Sequence, residues 1–346
     1  MRPSVALAAL LLLTVLAYAP LRSASFVYED ANAVWQNSTV VSGQPIPLDR
    51  ARWLTALSHR LVFVAFGAGP RAPHLVNLGL HLGNGLLVYG LALAFVAPWT
   101  AVWIAGLFLL HPIQSEAVAY VASRSELLST ALALLAAWLA IDARRWWEHL
   151  AMWACVALAI CAKESSFVIV PLILLLQVAR GHLVSRWWIA AVTLPIAAMA
   201  VSIFVFDFKT TSELSPIGFA ATQATALWRY LGIVLLPMGQ TIDHDFDLVP
   251  WALRWLALAA VGAWLSLMML ASLTNANGDT GAVGRLWDDS PRLKALAWGT
   301  VWVLIALAPR FVMRIPEVLN EHQTYMPFIG VWFALGAMMR PGQVAD

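Results

Sequence analysis

Long apolar runs, each roughly 15 to 24 residues and set apart by short polar segments, constrain this chain more than any other feature. A bilayer core about 30 Å thick is crossed by about 20 helical residues, and a helix satisfies its own backbone polar groups in lipid. The runs are continuous in Leu, Ala and Val instead of alternating with a period of two, which argues against a transmembrane barrel. Only 12% of the residues are charged and 61% are hydrophobic, with a mean hydropathy of +0.75, where soluble domains carry about a quarter charged. The expected fold is an all-α polytopic membrane protein.

In chain order, the first run, Val5 to Pro20, reads as a retained helix. A long polar loop, 21–73, follows it. Within that loop, Leu48 to Phe66 interleaves Leu, Trp, Val and Phe with Arg50, Arg52, His59 and Arg60, the pattern of an amphipathic helix lying on the interface. The next span, from about His74 to Val96, carries His74, Asn77, His81 and Asn84 on one narrow arc. Side chains of that kind must face inward, either to bond neighbouring helices or to line a site. Later spans are expected at 101–110, 127–141, 150–162, 167–179, 187–206, 251–273, 294–308 and up to 339. The segment 220–238 reads as a re-entrant or interfacial helix. The total is about ten spans in a single domain covering 1–346, with further outer loops near 111–126, 207–250 and 309–324. Cys155 and Cys161, six residues apart in one apolar run, fall on different faces of a helix and read as buried free thiols.

Charge sets the orientation. Short segments on one side carry Arg144, Arg145, Arg180, Arg186, Arg285, Arg292, Lys294 and Arg340, as cytoplasmic loops do. The other side concentrates both signs: Glu29, Asp30, Glu116, Arg124, Lys163, Glu164, Arg229 and Glu321, with His111, His322 and Tyr325 among them. An ion-coupled transporter is expected to hold its acids near the bilayer midplane, in broken helices. Here they sit at helix ends, at the depth of a lipid headgroup. A net charge of +2 with scattered basic residues gives no footprint for nucleic acid. Carboxylates can deprotonate an acceptor hydroxyl, while Arg and Lys can neutralise a phosphate leaving group. For Lys163-Glu164, charge alone favours an ion pair tying a turn over a phosphate-binding cation.

Several stretches together resemble the membrane-embedded GT-C glycosyltransferases that use a polyprenyl-phosphate sugar, in particular the transmembrane and tetratricopeptide-repeat O-mannosyltransferases and their bacterial relatives. They are Phe26-Val-Tyr-Glu-Asp30; Pro73-His-Leu-Val-Asn77 with His81; His111-Pro with Glu116-Ala-Val and Arg124; Ala162-Lys-Glu164; Arg229-Tyr-Leu with Pro237 and Asp243-His-Asp245; and Glu321-His322 with Tyr325 and Pro327. The resemblance implies a GT-C-like bundle and transfer of a mannose-like hexose from a polyprenyl-phosphate donor to a hydroxyl on a protein or glycan. It puts Glu29, Asp30 and Glu116 in catalytic positions. His111, Arg124, Lys163, Glu164, Arg229, His322 and Tyr325 then hold the donor and its phosphate, with His74, Asn77 and His81 lining the pocket.

Three departures bear on that expectation. Glu29 stands where the pattern has Asp, Gln323 stands where it has Arg, and no helical repeat at 34-residue spacing follows the last span. A degenerate fold serving as a structural subunit of a membrane complex therefore stays open beside the enzyme. No ligand spacing for a metal is recognisable, and the need for a divalent ion is left open. The implied location is a bacterial inner membrane with the site facing the periplasm, in contact with membrane lipid, an acceptor and other membrane subunits.

Overall fold

The computed structural model of the protein describes residues 2–48, 52–180, 215–242, 253–257, 291–312 and 318–339, with Pro250 and Ala260. Among these there is helix and no strand. The principal helices are α1 (Pro3–Ala17), α2 (Trp53–Phe66), α3 (Arg71–Leu93), α4 (Pro98–Leu110), α5 (Ser115–Ala119), α6 (Arg124–Ile141), α7 (Trp146–Ala162), α8 (Ile169–Ala179), α9 (Pro216–Leu235), α10 (Pro291–Val312) and α11 (Ile329–Met339).

Four stretches among the described residues are long and apolar enough to cross a membrane: Pro3–Ser23, Arg71–Leu93, Val121–Ile141 and Arg292–Phe311. A fifth arises if Pro98–Leu110 and Pro112–Ala119, bent by 53° at their junction, count as one. The chain is thus an integral membrane protein, and the expected count of ten spans is not reached among these residues. Trp53–Phe66, Trp146–Ala162, Glu164–Ala179 and Ile329–Met338 are apolar but shorter. The spans expected at 187–206 and 251–273, the connector that follows, Asp243-His-Asp245 and Arg340 lie largely or wholly outside the described residues.

Local chemistry explains the breaks. Pro98 opens α4 at a position where its missing N–H costs nothing, and Pro112 ends the run because it cannot continue the ladder. The buried stripe of α3 includes His74, Asn77, His81, Asn84, Val88 and Leu91, steps of three and four that keep one face inward. α10 and α11 approach so closely that a Cβ on Gly299 or Gly330 would strike the other's carbonyl oxygen. Only glycine permits backbone contact of that kind between membrane helices.

The amphipathic helix expected before residue 66 is α2, but its polarity is inverted relative to a soluble helix. Thr55, His59 and Val62 are buried against the protein, while Leu61, Val64 and Phe66 are 62%, 77% and 70% exposed. Apolar side chains turned outward suit lipid contact beside a bundle whose inner wall is polar. Thr55 Oγ1 donates to Ala162 O at 2.8 Å, which pins α2 to the end of α7.

α9 lies across one end of the bundle. Gln223 donates to Val318 O, the Tyr230 hydroxyl meets both the N–H and the carbonyl of Asn320, and Val234 O accepts from His111 Nε2. These contacts are spread over about 16 Å of helix, yet all their partners belong to the same end. α9 is not one of the four stretches above.

Candidate functional site

At this end of the bundle a cavity of about 370 Å³ is lined by loop 1, the α6 N-terminus, the α7–α8 turn, the end of α10 and the turn before α11. Its charged or titratable lining is Glu29, Arg52, Glu126, Lys163, Glu164, Arg310 and His322, with the phenols Tyr28 and Tyr120. Along α6 it reaches from Ser125 down to Thr130, and Ala306, Leu307, Met326 and Pro327 give it an apolar side.

Two ion pairs share the cavity, made in opposite directions by adjacent residues of the α7–α8 turn. Lys163 turns to Glu126 of α6, a pair only 14% and 7% exposed. Glu164 turns to loop 1, where Arg52 Nε and Nη2 donate to its two oxygens at 2.8 and 2.5 Å. Arg52 has φ +59°, in the left-handed region, just before α2 begins. Burial alone would raise the Glu164 carboxyl, but the hydrogen bond and charge of Arg52 overcome it and hold the group at about 2. Burial pushes the Lys163 ammonium well below its ordinary value, and the charges of Arg52 and Arg310 push the same way.

The acidic pair of loop 1 is split. Glu29 is exposed and lines the cavity, while Asp30 is fully buried. Asp30 Oδ2 accepts from Val27 N at 3.1 Å and Oδ1 from Ala122 N at 2.8 Å. It latches loop 1 onto the start of α6. Burial raises its carboxyl more than those bonds and His74 lower it.

Glu116, buried at the start of α5, sits behind the cavity wall. Its Oε1 meets His322 Nδ1 at 2.5 Å and its Oε2 accepts the His322 N–H at 2.9 Å, and His322 itself lines the cavity. The Tyr120 ring stands 6.0 Å from the imidazole.

Of the residues singled out by sequence, the cavity therefore gathers Glu29, Lys163, Glu164 and His322. The others lie elsewhere. Arg124 is 0% exposed, donating to Asn77 Oδ1 at 2.9 Å, Pro73 O at 3.0 Å and Ser58 O at 3.4 Å. Asn77 in turn donates to Val118 O and Tyr120 O. His81 bonds the Tyr325 hydroxyl at 2.8 Å and Leu109 O at 3.1 Å, and Asn84 reaches the same hydroxyl. His74 bonds Pro70 O and stacks on Phe26. His111 accepts from Ile113 N, meets Val234 O and lies against Trp332. Arg229 is exposed on α9, away from the cavity lining. The α3 stripe thus serves interhelical bonding, which is one of the two uses open to it.

Arg52 and Glu126 line the cavity and were not among the sequence candidates; Arg310, which also lines it, was legible as a cation that could stand in for the one missing at Gln323. Glu126 stands two residues after Arg124, and its spacing carries no signal of its own. Arg52 was legible only as one basic residue of an amphipathic stretch. Among the described residues no group of three or more His, Cys, Asp or Glu could hold a metal ion.

Comparison with known proteins gives partial similarities. The chain is 35% identical over 132 residues to protein O-mannosyl-transferase Tmtc1 of Drosophila melanogaster, covering 33% of this chain and 15% of that protein. It is 33% identical over 186 residues to Tmtc2 of the same fly, covering 46% and 20%. It is 27% identical over 279 residues to human TMTC3, covering 70% and 29%. The chain thus spans less than a third of the length of these relatives. No family model matches it. No solved structure matches it either.

Proposed function

We propose that the protein is a membrane glycosyltransferase that moves a mannose-like hexose from a polyprenyl-phosphate donor to a hydroxyl of a protein or glycan acceptor. One observation carries this reading: an exposed carboxylate, Glu29, shares a cavity with Arg52, Lys163, Arg310 and His322. The O-mannosyl-transferase names of the similar proteins point the same way.

In this reading Glu29 takes the proton from the acceptor hydroxyl as its oxygen attacks C1 of the sugar. The bond from C1 to the phosphate oxygen breaks, and the leaving polyprenyl phosphate carries one more negative charge than it arrived with. Lys163, Arg310 and His322 meet that charge, and Arg52 adds to the positive field at the rim. Asp30 fixes the backbone that presents Glu29. The segments at the opposite end, with Arg144, Arg145 and Arg180, are read as cytoplasmic, so the reaction faces outward.

The test is transfer of labelled hexose from a polyprenyl phosphate to membrane acceptors, wild type against Glu29→Gln. Loss of a general base lowers such rates by about 10² to 10⁴-fold. Equal transfer by both forms refutes the assignment of Glu29. Absence of transfer and of prenyl-phosphate binding in the wild type favours a structural subunit instead.

A further inference from the structure

The turn Glu321–Thr324 and the helix α5 come from parts of the chain 206 residues apart, yet one carboxylate of α5 holds one residue of that turn at two points. A carboxylate that merely capped the turn would accept its backbone N–H. Glu116 does this with Oε2 and uses Oε1 to take the imidazole Nδ1. The two contacts together fix both the position of His322 and the rotation of its ring. With Nδ1 engaged as a donor, Nε2 is the nitrogen left for the cavity, and among the described residues it has no hydrogen-bond partner. Glu116 is 8% exposed and lies outside the cavity lining, so it has no route to a ligand except through the histidine.

We propose that Glu116 is a positioning residue that fixes the place and rotation of the His322 ring, so that His322 Nε2–H donates to an oxygen of the donor's phosphate. The inference rests on the glycosyl-transfer reading above. A histidine held by a carboxylate on one nitrogen presents the other in a fixed direction. The phosphate passes from a monoanionic diester-like group to a dianionic monoester as the bond to C1 breaks. A donor in a fixed position gains most at that moment, so its removal is felt in turnover more than in ground-state binding. No proton changes hands in this step: the ring keeps its Nε2 proton and bonds more strongly. The charged or titratable groups around the imidazole are Glu116 from α5, Tyr120 beyond it, Glu126 from α6, Lys163 and Glu164 from the α7–α8 turn, Arg310 from α10, Glu29 and Arg52 from loop 1, and Glu321 and Tyr325 from its own segment. Among the described residues only Glu116 bonds the ring.

Purified protein in detergent is assayed with a polyprenyl-phosphate hexose as Glu116→Gln, His322→Asn and the double variant, beside wild type, with prenyl-phosphate binding measured in parallel. Glutamine keeps the shape and removes the charge. The expected result is a kcat about 10-fold lower in Glu116→Gln with KM nearly unchanged, a larger loss in His322→Asn, and a double variant no worse than His322→Asn alone. Multiplicative losses in the double variant would mean that Glu116 acts independently, and they overturn the proposal; so does wild-type turnover in Glu116→Gln. If Glu116→Gln fails to fold, the kcat-against-KM split of His322→Asn decides: a loss confined to KM overturns the proposal. A wild type that neither transfers nor binds prenyl phosphate removes the transferase reading, and this inference with it, whereas failure of the variants alone removes only the pairing.

Discussion

Replacing Arg124 with Met should cost stability and leave intact the prenyl-phosphate binding proposed above. The guanidinium is fully buried and joins three elements: α6 carries it, α3 supplies Asn77 and Pro73, and α2 supplies Ser58. Two of its bonds are well formed, at 2.9 and 3.0 Å, and the third is long at 3.4 Å. Hydrogen bonds to a charged group are worth about 1.5–3 kcal/mol each, so the two good ones sum to about 3–6 kcal/mol. Part of that is returned because a buried cation no longer has to be desolvated. Methionine fills much of the volume but leaves Asn77 Oδ1 and Pro73 O without this donor. The net expectation is a loss of about 2–4 kcal/mol, with Arg124→Lys recovering roughly half because an ammonium reaches one acceptor well. Thermal unfolding in detergent measures the first effect, and prenyl-phosphate titration of the folded protein measures the second. A variant that unfolds like the wild type but no longer binds prenyl phosphate would refute this reasoning and return Arg124 to the ligand.

Lys163→Met strands Glu126 in a site where it is 7% exposed, and thermal unfolding should register a loss of about 3–5 kcal/mol, largely reversed by adding Glu126→Gln. Gly330→Ala must push α10 and α11 apart, because the new Cβ lies 2.9 Å from Trp302 Cβ as well as against Gly299 O; a loss of about 1–3 kcal/mol is expected, and an unchanged melting temperature would refute the close contact. The Arg52–Glu164 clasp has a carboxyl held at about 2 in the fold, below its ordinary value. Its contribution is therefore full above about pH 4.5 and fades as the pH falls towards 2. Protection factors of the α2 amides should fall over that acid window in the wild type, and Glu164→Gln should show the lower protection already at neutral pH.

The membrane character of the chain was legible because it depends on composition and run length, which packing does not alter. The inward arc of α3 was legible for the same reason: a period of 3.6 survives any tertiary arrangement. What the residues on that arc do was less so, since His81 is explained by Tyr325, 244 residues away, and no local pattern announces that partner. The division of Glu29 from Asp30 was invisible because it turns on which carboxylate meets the Ala122 N–H. Arg124 looked like a phosphate ligand as long as only its charge and neighbourhood were known. Its burial against Asn77 and two carbonyls belongs to the packing of three helices. Arg52 illustrates the converse, an ordinary basic residue made part of the site by a single left-handed backbone position.

The Glu116–His322 clamp has a consequence for how the molecule is made. Its two halves, and those of the His81–Tyr325 bond, are separated by 206 and 244 residues, so neither exists while the chain is still emerging and α11 has yet to insert. Contacts of such long reach close late. Until the segment carrying Glu321 to Tyr325 arrives, the cavity lacks one wall and the imidazole that faces it. On the transferase reading proposed above, a partly synthesised chain would carry Glu29 and Lys163 without the wall that faces them, and transfer would begin only once residues 321–325 are in place.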